Sequence, residues 1–308
     1  VLRRPRGKQT LLVVLREATT TLDEVNIKGE KIQSDQIQEL KTKDMKMTPS
    51  ANGNGVESLV QQQAGVSTHN ELSSQYNVRG GAFDENSVYI NNVEVFRPFL
   101  VRSGQQEGLS VINPYMVDKI GFSTGGYAAK YGDKMSSALD ITYKTLKAKS
   151  KKPVVEGSLA ASLLGADAYI GLGTQKLSWL NSVRYKTTSY LLGSMETKGE
   201  YKPNYLDYQT YLSYQPNKRW KLDFIGYISD NHYNFEPEDR ETKFGTMENV
   251  KSFRVYFDGQ EKDRFLTYFG TLGITRQFTA NTSLSLLGSA FYTKEQEKYD
   301  IQGQYSLD

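Results

Sequence analysis

The sequence "GGYAAKYGDKMSSALDITYK", Gly125–Lys144, combines the features of tight turns with those of a strand. It has two adjacent glycines, a turn of small residues, a further glycine at Gly132, another run of small residues, and then a segment with the pattern of a strand. Glycine adopts positive φ angles at little cost, and small side chains let neighbouring backbones approach closely. The stretch therefore predicts a chain that bends sharply at Gly125, Gly126 and Gly132 and then enters a β-strand from Leu139.

Composition excludes several classes of protein. The 308 residues carry 38 Lys and Arg against 35 Asp and Glu, so the bulk charge indicates no nucleic-acid partner. There is no cysteine, and the two histidines, His69 and His232, are too far apart for a local zinc motif, so we expect no metal site, no disulfide and no cofactor. The 21 tyrosines and 13 phenylalanines in a chain of polar mean hydropathy favour a β-rich protein with aromatic girdles or wet surfaces.

The sequence contains no run close to the roughly 18 apolar residues of a membrane-spanning helix. This leaves a membrane location open, because spanning strands carry only a weak alternating signal. The chain begins "VLRRPRGKQT", without an initiator Met or an apolar signal core, so we expect its true beginning to lie upstream.

The front of the chain is predicted to hold two short regions. Residues 1–21 contain one apolar strand, Leu11–Leu15, and are interpreted as the end of a small β-domain. Residues 22–53 are polar and close with turn-forming residues from Pro49, so they are interpreted as a linker.

Residues 54–146 predict a compact α+β domain. Asn54 is suited to cap a helix whose apolar residues Val56, Leu59 and Val60 share one face, and Gly65 to end it. Asn113 and Pro114 predict a second short helix. That helix is expected at Tyr115–Val117, and strands are expected at Tyr76–Arg79, Ser87–Asn91, Lys119–Thr124 and Leu139–Thr145.

After the basic segment "KAKSKKP", residues 147–153, apolar and polar residues alternate with a period of two through residues 154–308. In one such strand Trp220, Phe224 and Ile228 share the apolar face. The connectors alternate between short ones, such as "QPNKR" and "TAN", and long polar ones at 187–204 and 231–262. Strands of about ten residues with this alternation of turns favour a membrane β-barrel over a soluble β-sandwich, which remains the alternative.

Several motifs in the compact domain occur in the order of a known family. "VRGG" at Val78–Gly81 resembles a motif "IRG", and "YINNV" at Tyr89–Val93 resembles "YINGV", with Asn92 where the family usually has glycine. "VDKI" at Val117–Ile120 and "GGYAAKYG" at Gly125–Gly132 resemble "VEKIEVLKGG…A.YG". Together these motifs resemble the plug domain of a TonB-dependent outer-membrane receptor. The signature residues that this resemblance picks out are Arg79, Gly80, Gly81, Asn91, Gly125, Gly126, Tyr131 and Gly132.

A further motif lies upstream. "LDEVNIKG" at Leu22–Gly29 resembles "LEEVVVTG", the TonB box of receptors that have a carboxypeptidase-regulatory-like amino-terminal domain, although Asn26 and Lys28 depart from it. A plain linker strand is the alternative. The resemblance implies that residues 1–21 end that amino-terminal domain. It makes Leu22, Asp23, Glu24, Val25, Asn26 and Ile27 the candidate TonB-box residues.

The resemblance implies an α+β plug domain followed by antiparallel transmembrane β-barrel strands. Such barrels have 22 strands, and residues 154–308 are long enough for about seven, so we expect the sequence to be truncated at both ends. It also implies a Gram-negative outer-membrane location and an importer of a scarce nutrient such as a siderophore, vitamin, peptide or glycan. The implied partners are the carboxy-terminal domain of TonB, outer-membrane lipid and the nutrient. A surface lipoprotein, as in some glycan importers, stays open.

The substrate is expected to contact the apical loop of the plug, with Phe96, Arg97, Phe99 and Arg102 as candidates, together with the long barrel loops. Arg79 is expected to face the barrel lumen and to pair with inward carboxylates, with a solvated surface arginine as the alternative. No catalytic residues are predicted, because the densest acidic cluster, Glu236–Asp239, is expected in a solvated polar loop without a nucleophile and base, with a weak cation site as the alternative. The competing function is a soluble β-rich protein that binds a ligand or carbohydrate without transport.

Overall fold

The computed structural model describes residues 37–45, 55–68, 74–96, 98, 110–187, 189, 199–246 and 249–307. The predicted strand Leu11–Leu15 and the candidate TonB-box residues 22–27 lie outside these ranges, as do His69, Arg97, Phe99 and Arg102. No helix in the described part is both long and apolar enough to cross a membrane.

The first part of the chain forms a small mixed domain. Its elements, in chain order, are β1 (Gln38–Leu40), α1 (Thr42–Met45), α2 (Gly55–Gln61), β2 (Val66–Ser67), β3 (Asn77–Val78), β4 (Asn86–Ile90), β5 (Val93–Glu94), β6 (Val117–Ser123) and β7 (Ser137–Tyr143), with a 3-10 turn at Phe83–Glu85. Five strands form one sheet in the order β1-β6-β7-β4-β5, in which β4 and β7 are parallel and the other pairs antiparallel. The strands β2 and β3 pair with each other.

The helix α2 packs on this sheet as its sequence pattern predicts. Val56, Leu59 and Val60 are buried in the same core as Ile120 and Leu139 of the sheet. Burial of an aliphatic side chain contributes about 1.5–3 kcal/mol, so this apolar face, more than the intrinsic propensity of seven residues, holds the helix.

The short helix expected at Tyr115–Val117 is wrong. The Asn113 side-chain oxygen accepts a hydrogen bond from the Tyr115 amide at 3.0 Å, and the Asn113 carbonyl accepts one from the Met116 amide at 3.0 Å. These bonds close a single turn. From Val117 onward the backbone instead pairs with β7, which stops any helix from continuing.

The second part of the chain is a nine-stranded antiparallel sheet. Its strands are β8 (Val154–Ser162), β9 (Gly165–Gly173), β10 (Leu177–Thr187), β11 (Gly199–Tyr201), β12 (Asn204–Asn217), β13 (Trp220–Pro237), β14 (Arg240–Thr246), β15 (Asn249–Gln277) and β16 (Ser283–Leu307). The order is β14-β15-β13-β12-β10-β9-β8, with β11 on β13 and β16 on β15. Seven of these strands have nine residues or more; β11 and β14 are the short ones.

The loop expected at 231–262 is wrong. The strand β13 continues to Pro237, and its pairing with β15 extends to Phe235 and Glu261. The 29 residues of β15 span about 95 Å at about 3.3 Å per residue, which far exceeds a hydrocarbon core of about 30 Å. The extension was not predicted because polar residues predominate along it and its pairing partner in β15 is distant in sequence.

The large sheet is mostly apolar on its outer face, whereas its inner face combines polar side chains with buried apolar ones such as Ile225 and Phe269. On β13 the side chain of Ile228 is 44% exposed while Ser229, on the opposite face, is 3% exposed. The same contrast holds on β10, where Val183 is exposed and Arg184 is buried. A soluble sheet would bury the aliphatic residues, so this distribution is typical of a wall that faces lipid outside and a hydrated lumen inside.

The outer apolar band has a limited height. On β13 it runs from Trp220 to Ile228, about 27 Å of strand at about 3.4 Å per residue, close to the roughly 25 Å band of membrane barrels. Beyond Ile228 the outer face becomes charged, where Asp230 and Arg264 form an ion pair at 2.7 Å. At the other end of the band, β13 begins at Trp220, directly after a short turn from β12.

Residues 144–153 connect the small domain to the sheet and lie against its edge. The Leu146 amide donates to Ser178 Oγ at 2.9 Å, and the Ala148 amide donates to the Thr174 carbonyl at 3.2 Å. Lys144 forms an ion pair with Glu156 at 2.7 Å. The basic segment is thus attached to the first strands of the sheet.

Candidate functional site

The small domain meets the inner face of the large sheet through residues 110–113, which are all buried. Arg184 of β10 reaches this segment from the sheet. Its guanidinium donates hydrogen bonds to the Ser110 carbonyl at 2.6 Å and to the Ile112 carbonyl at 3.1 Å. Because the acceptors are backbone atoms, the contact depends on the path of the segment and not on its side chains.

The charge of Arg184 is balanced within the sheet. Asp207 of β12 lies directly opposite Arg184 in the strand register, and Arg184 Nε lies 3.0 and 3.1 Å from its two carboxylate oxygens. Arg184 Nη2 contacts the same carboxylate. Both side chains are almost fully buried, so each requires the other as a counter-ion.

Gln209, the next inward residue on β12, completes the contact. Its amide nitrogen donates to the Val111 carbonyl, and its side-chain oxygen accepts a hydrogen bond from the Tyr143 hydroxyl at 3.1 Å. Three consecutive carbonyls, those of residues 110–112, thus accept hydrogen bonds from side chains of the sheet. We call residues 110–112, Arg184, Asp207 and Gln209 the clasp.

Glu57 of α2 lies on the other side of the clasp. Ser110 Oγ donates a hydrogen bond to Glu57 Oε1 and accepts one from the Ile112 amide at 3.0 Å. Burial raises the pKa of Glu57 to about 7, although the bond from Ser110 and the positive charges of Arg184 and Lys186 act in the opposite direction. The second oxygen of this carboxyl has no hydrogen-bond partner within the described part of the chain.

The interface between the small domain and the sheet also has an aromatic component. Tyr143 packs against Tyr211 of the sheet with ring centroids 5.8 Å apart, and Tyr115 stacks on Tyr169 at 5.9 Å. Leu180 of the sheet is buried in the same cluster. The clasp is therefore set in a partly apolar surround, where its hydrogen bonds are stronger than in water.

The candidate substrate residue Phe96 lies apart from the clasp. It is exposed, with its ring 6.4 Å from that of Phe291 on β16. Phe96, Phe269, Ser289 and Phe291 line an open pocket of about 450 Å³. The other candidates, Arg97, Phe99 and Arg102, lie outside the described residues.

Among the signature residues, the "YINNV" motif forms a two-residue hairpin turn between Ile90 and Val93. Asn91 and Asn92 have φ angles of 50° and 66°, so asparagine serves where the family usually has glycine. Asn91 Oδ1 also accepts a hydrogen bond from the Tyr143 amide at 2.9 Å, which ties the turn to β7.

The glycine-rich stretch bends partly as expected. Gly125 and Gly126 have φ angles of 130° and 71°, but the left-handed residue near Gly132 is Asp133, with φ of 74°. The bend is therefore displaced by one residue. Tyr131 donates a hydrogen bond from its hydroxyl to Asp140 and packs on Tyr89, with ring centroids 5.1 Å apart.

Gly80 also has a positive φ angle. Gly81 does not, but its surroundings leave no room for a side chain. A Cβ atom at Gly81 would lie 1.9 Å from Ser136 Oγ. Arg79 has φ of 49° and an exposed side chain. Within the described ranges it forms no ion pair with a carboxylate, so its expected pairing is absent there.

Sequence reasoning missed the residues of the clasp. Arg184 and Asp207 are charged residues at inward positions of strands whose outward neighbours include Val183 and Leu206. The sequence did contain one signal for them, namely opposite charges at inward positions of two strands. Its significance depends on the small domain lying against that face, which the alternation alone does not reveal.

Comparison with known proteins agrees with this architecture. Residues 22–138 match the family model of the TonB-dependent receptor plug domain. No curated protein matches the chain.

Three solved structures illustrate what the chain is similar to. The copper transporter OprC has 11% identity and a TM-score of 0.51, and the match covers 89% of this chain and 48% of that one. The siderophore receptor PirA from Acinetobacter baumannii has 13% identity and a TM-score of 0.45, covering 87% and 49%. The ferric enterobactin receptor PfeA from Pseudomonas aeruginosa, in a mutant form, has 14% identity and a TM-score of 0.46, covering 89% and 49%.

The chain spans about half the length of these structures. At such low identity the likeness concerns the fold alone. Residues 22–138 match the TonB-dependent receptor plug domain, and the antiparallel strands that follow them form a curled half-barrel, as in TonB-dependent receptor barrels.

Proposed function

We propose that this chain is part of an outer-membrane transporter in which the plug closes the lumen of the barrel and moves when TonB pulls on it. The observation that carries the proposal is the inverted polarity of the wall. Apolar residues such as Ile228 face outward, while the buried pair of Arg184 and Asp207 faces the plug. A sheet with an outer face suited to lipid and an inner face that binds a separate domain is typical of a gated pore. A soluble binding protein has no need of this arrangement.

The clasp suits a domain that must move. Its bonds to the plug are made to backbone carbonyls, and water in an opened lumen offers replacement partners to the same groups. Arg184 keeps Asp207 as its partner when the plug shifts, so no isolated charge is left behind. Part of the plug is therefore displaced without unfolding the barrel, and the substrate is moved without being chemically changed.

The partner that supplies the force is proposed to be the carboxy-terminal domain of TonB. It would bind Leu22–Ile27 by adding a strand, which needs backbone N–H and C=O groups more than particular side chains. The energy would come from the proton-motive force of the inner membrane. The outer membrane of a Gram-negative cell is the location that this mechanism requires.

The substrate is proposed to be a scarce nutrient that binds on the side of Phe96. The aromatic pocket there lies between the plug and β16, where a ligand contacts both. Siderophores, vitamins, peptides and glycans all remain candidates, and a surface lipoprotein is an open further partner.

The experiment uses the full-length receptor and targets the backbone of the TonB box. Val25→Pro combined with Ile27→Pro removes two N–H donors needed for strand addition, whereas Val25→Thr combined with Ile27→Val keeps them. The proline variant should lose binding to the purified TonB domain and lose growth under nutrient limitation, and the control should keep both. Growth and TonB binding equal to wild type in the proline variant would refute the coupling. Recovery of the wild-type protein in the soluble fraction would favour the soluble binding protein instead.

A further inference from the structure

Three short turns lie at one edge of the half-barrel, while the two-residue turn at 163–164 lies at the opposite edge. The turns at 174–176, 218–219 and 278–282 all lie at the first of these edges, since Gly173 pairs with both Val154 and Ser178, and Gln277 pairs with Ser283. The connector at 144–153 reaches the same edge, because it enters β8 there and contacts Thr174. We call this edge the short-turn rim.

The connector gives the short-turn rim a strong positive charge. Lys147, Lys149, Lys151 and Lys152 are all exposed, and no acidic residue occurs between Thr145 and Val155. Lys147 Nζ donates a hydrogen bond to Gln215 at the end of β12, at 3.0 Å. This bond holds the basic segment along the rim instead of leaving it to extend into solvent.

The turns add further cations. Lys176, Lys218, Arg219 and Arg276 are exposed, and residues 174–177, 215–220 and 276–283 contain no Asp or Glu. Within the part of the chain that the structure describes, none of these cations or the connector lysines forms an ion pair with a carboxylate. Their charges are therefore available to an external anion.

The opposite edge of the barrel has a different composition. There basic and acidic residues alternate and pair, as in the contacts of Arg254 with Glu241 at 3.5 Å and Lys202 with Glu200 at 3.1 Å. The positive charge is thus concentrated at one rim, although the chain as a whole has a formal net charge of only +3.

Arg276 links the basic rim to the lipid-facing wall. Its guanidinium lies 5.0 Å from the Trp220 ring and 4.7 Å from the Phe278 ring, and both rings are exposed on the outside of the sheet. Stacking occupies the faces of a guanidinium and leaves its N–H edge open to a bidentate acceptor such as a phosphate. Aromatic residues at this height occupy the level of lipid headgroups.

We propose that the short-turn rim binds the phosphate groups of anionic phospholipids in the adjacent leaflet. Lipid fits better than an acidic protein because the cations follow the end of the apolar band and reach the outer face at Arg276. The inference rests on the proposed membrane location. Lipid phosphates held there would fix the height of the rim and would anchor the connector while the plug moves.

The test compares lipid binding by the full-length receptor in detergent, using native mass spectrometry with phosphatidylglycerol and phosphatidylcholine of identical chains. The rim variant carries Lys147→Gln, Lys149→Gln, Lys151→Gln, Lys152→Gln and Arg276→Gln. The control variant carries Lys243→Gln, Lys251→Gln, Lys262→Gln, Lys298→Gln and Arg254→Gln on the opposite side, so both lose the same charge. We expect the wild type and the control to prefer phosphatidylglycerol at least fivefold, and the rim variant to lose that preference.

Equal preference in the rim variant and the wild type would overturn the inference, as would binding of an acidic protein that phosphatidylglycerol does not displace. High salt should reduce the preference, because exposed charges are screened within about 8 Å at physiological ionic strength. Insertion of the wild type into vesicles is measured separately. Failure to insert would overturn the membrane location itself, whereas insertion without a lipid preference would overturn only the role of the rim.

Discussion

Arg184 and Asp207 face each other across two neighbouring strands of the barrel wall, and both are buried against the plug. The pair does more than neutralise charge, because Arg184 also donates to two plug carbonyls. Asp207 therefore holds the orientation in which the guanidinium reaches the plug.

Replacing Asp207 with Asn should weaken the attachment of the plug. The substitution leaves Arg184 buried without its counter-ion, and breaking a buried pair in this way costs about 3–5 kcal/mol. The measurement is the urea concentration at which plug amides lose protection from hydrogen exchange in the full-length receptor.

The double variant Arg184→Met with Asp207→Asn is the control. It leaves no unpaired buried charge, so its loss of stability should be smaller than the sum of the losses in the single variants Arg184→Met and Asp207→Asn. Additive losses would mean that the two side chains act independently, against the contact described here.

Gly81→Ala should destabilise the plug by about 1–3 kcal/mol, the usual cost of overpacking. The new methyl group would lie 1.9 Å from Ser136 Oγ, and removing that hydroxymethyl group with Ser136→Gly should restore much of the loss. Gly132→Ala is the matched control, because no atom lies within 4 Å of its Cβ position and its φ is not in the left-handed region. Thermal unfolding of the plug measures all three, and equal losses at Gly81 and Gly132 would contradict the close approach.

The hairpin turn offers a separate test of backbone conformation. Asn92 has φ of 66°, where residues other than glycine, asparagine and aspartate pay about 1–2 kcal/mol. Asn92→Ala should therefore lower the free energy of unfolding of the plug by about 1 kcal/mol, while Asn92→Gly should equal or exceed the wild type. If alanine and glycine behaved alike in urea unfolding, the turn would not have this conformation in solution.

The elements of the plug were largely predictable because their signals are local. The apolar face of α2 and the two-residue turn at Asn91 and Asn92 depend on neighbours in the sequence. The roles of Arg184 and Glu57 were not predictable, since Arg184 contacts the plug only when the plug lies against the wall and Glu57 bonds to Ser110, which is distant in sequence. The polar part of β13 beyond Ile228 was likewise not predictable as a strand, because its pairing partner in β15 is distant in sequence.

Glu57 makes the stability of the plug depend on pH. Its pKa is raised from an ordinary 4.5 to about 7, mainly by burial, so the folded plug favours the protonated carboxyl. Between pH 4.5 and 7 the folded state binds more protons than the unfolded state, and stability therefore falls as pH rises. The contribution is fully present below about pH 4.5 and is lost once pH rises through about 7, a change on the order of 3 kcal/mol.

Glu57→Gln is the variant that isolates this effect, because the amide keeps the shape of the neutral side chain and does not titrate. The variant should match the wild type near pH 4.5 and be more stable than the wild type at pH 8, with a flatter pH profile between them. The measurement is the urea midpoint of plug unfolding across this range. A variant profile parallel to that of the wild type would assign the pH dependence to other groups.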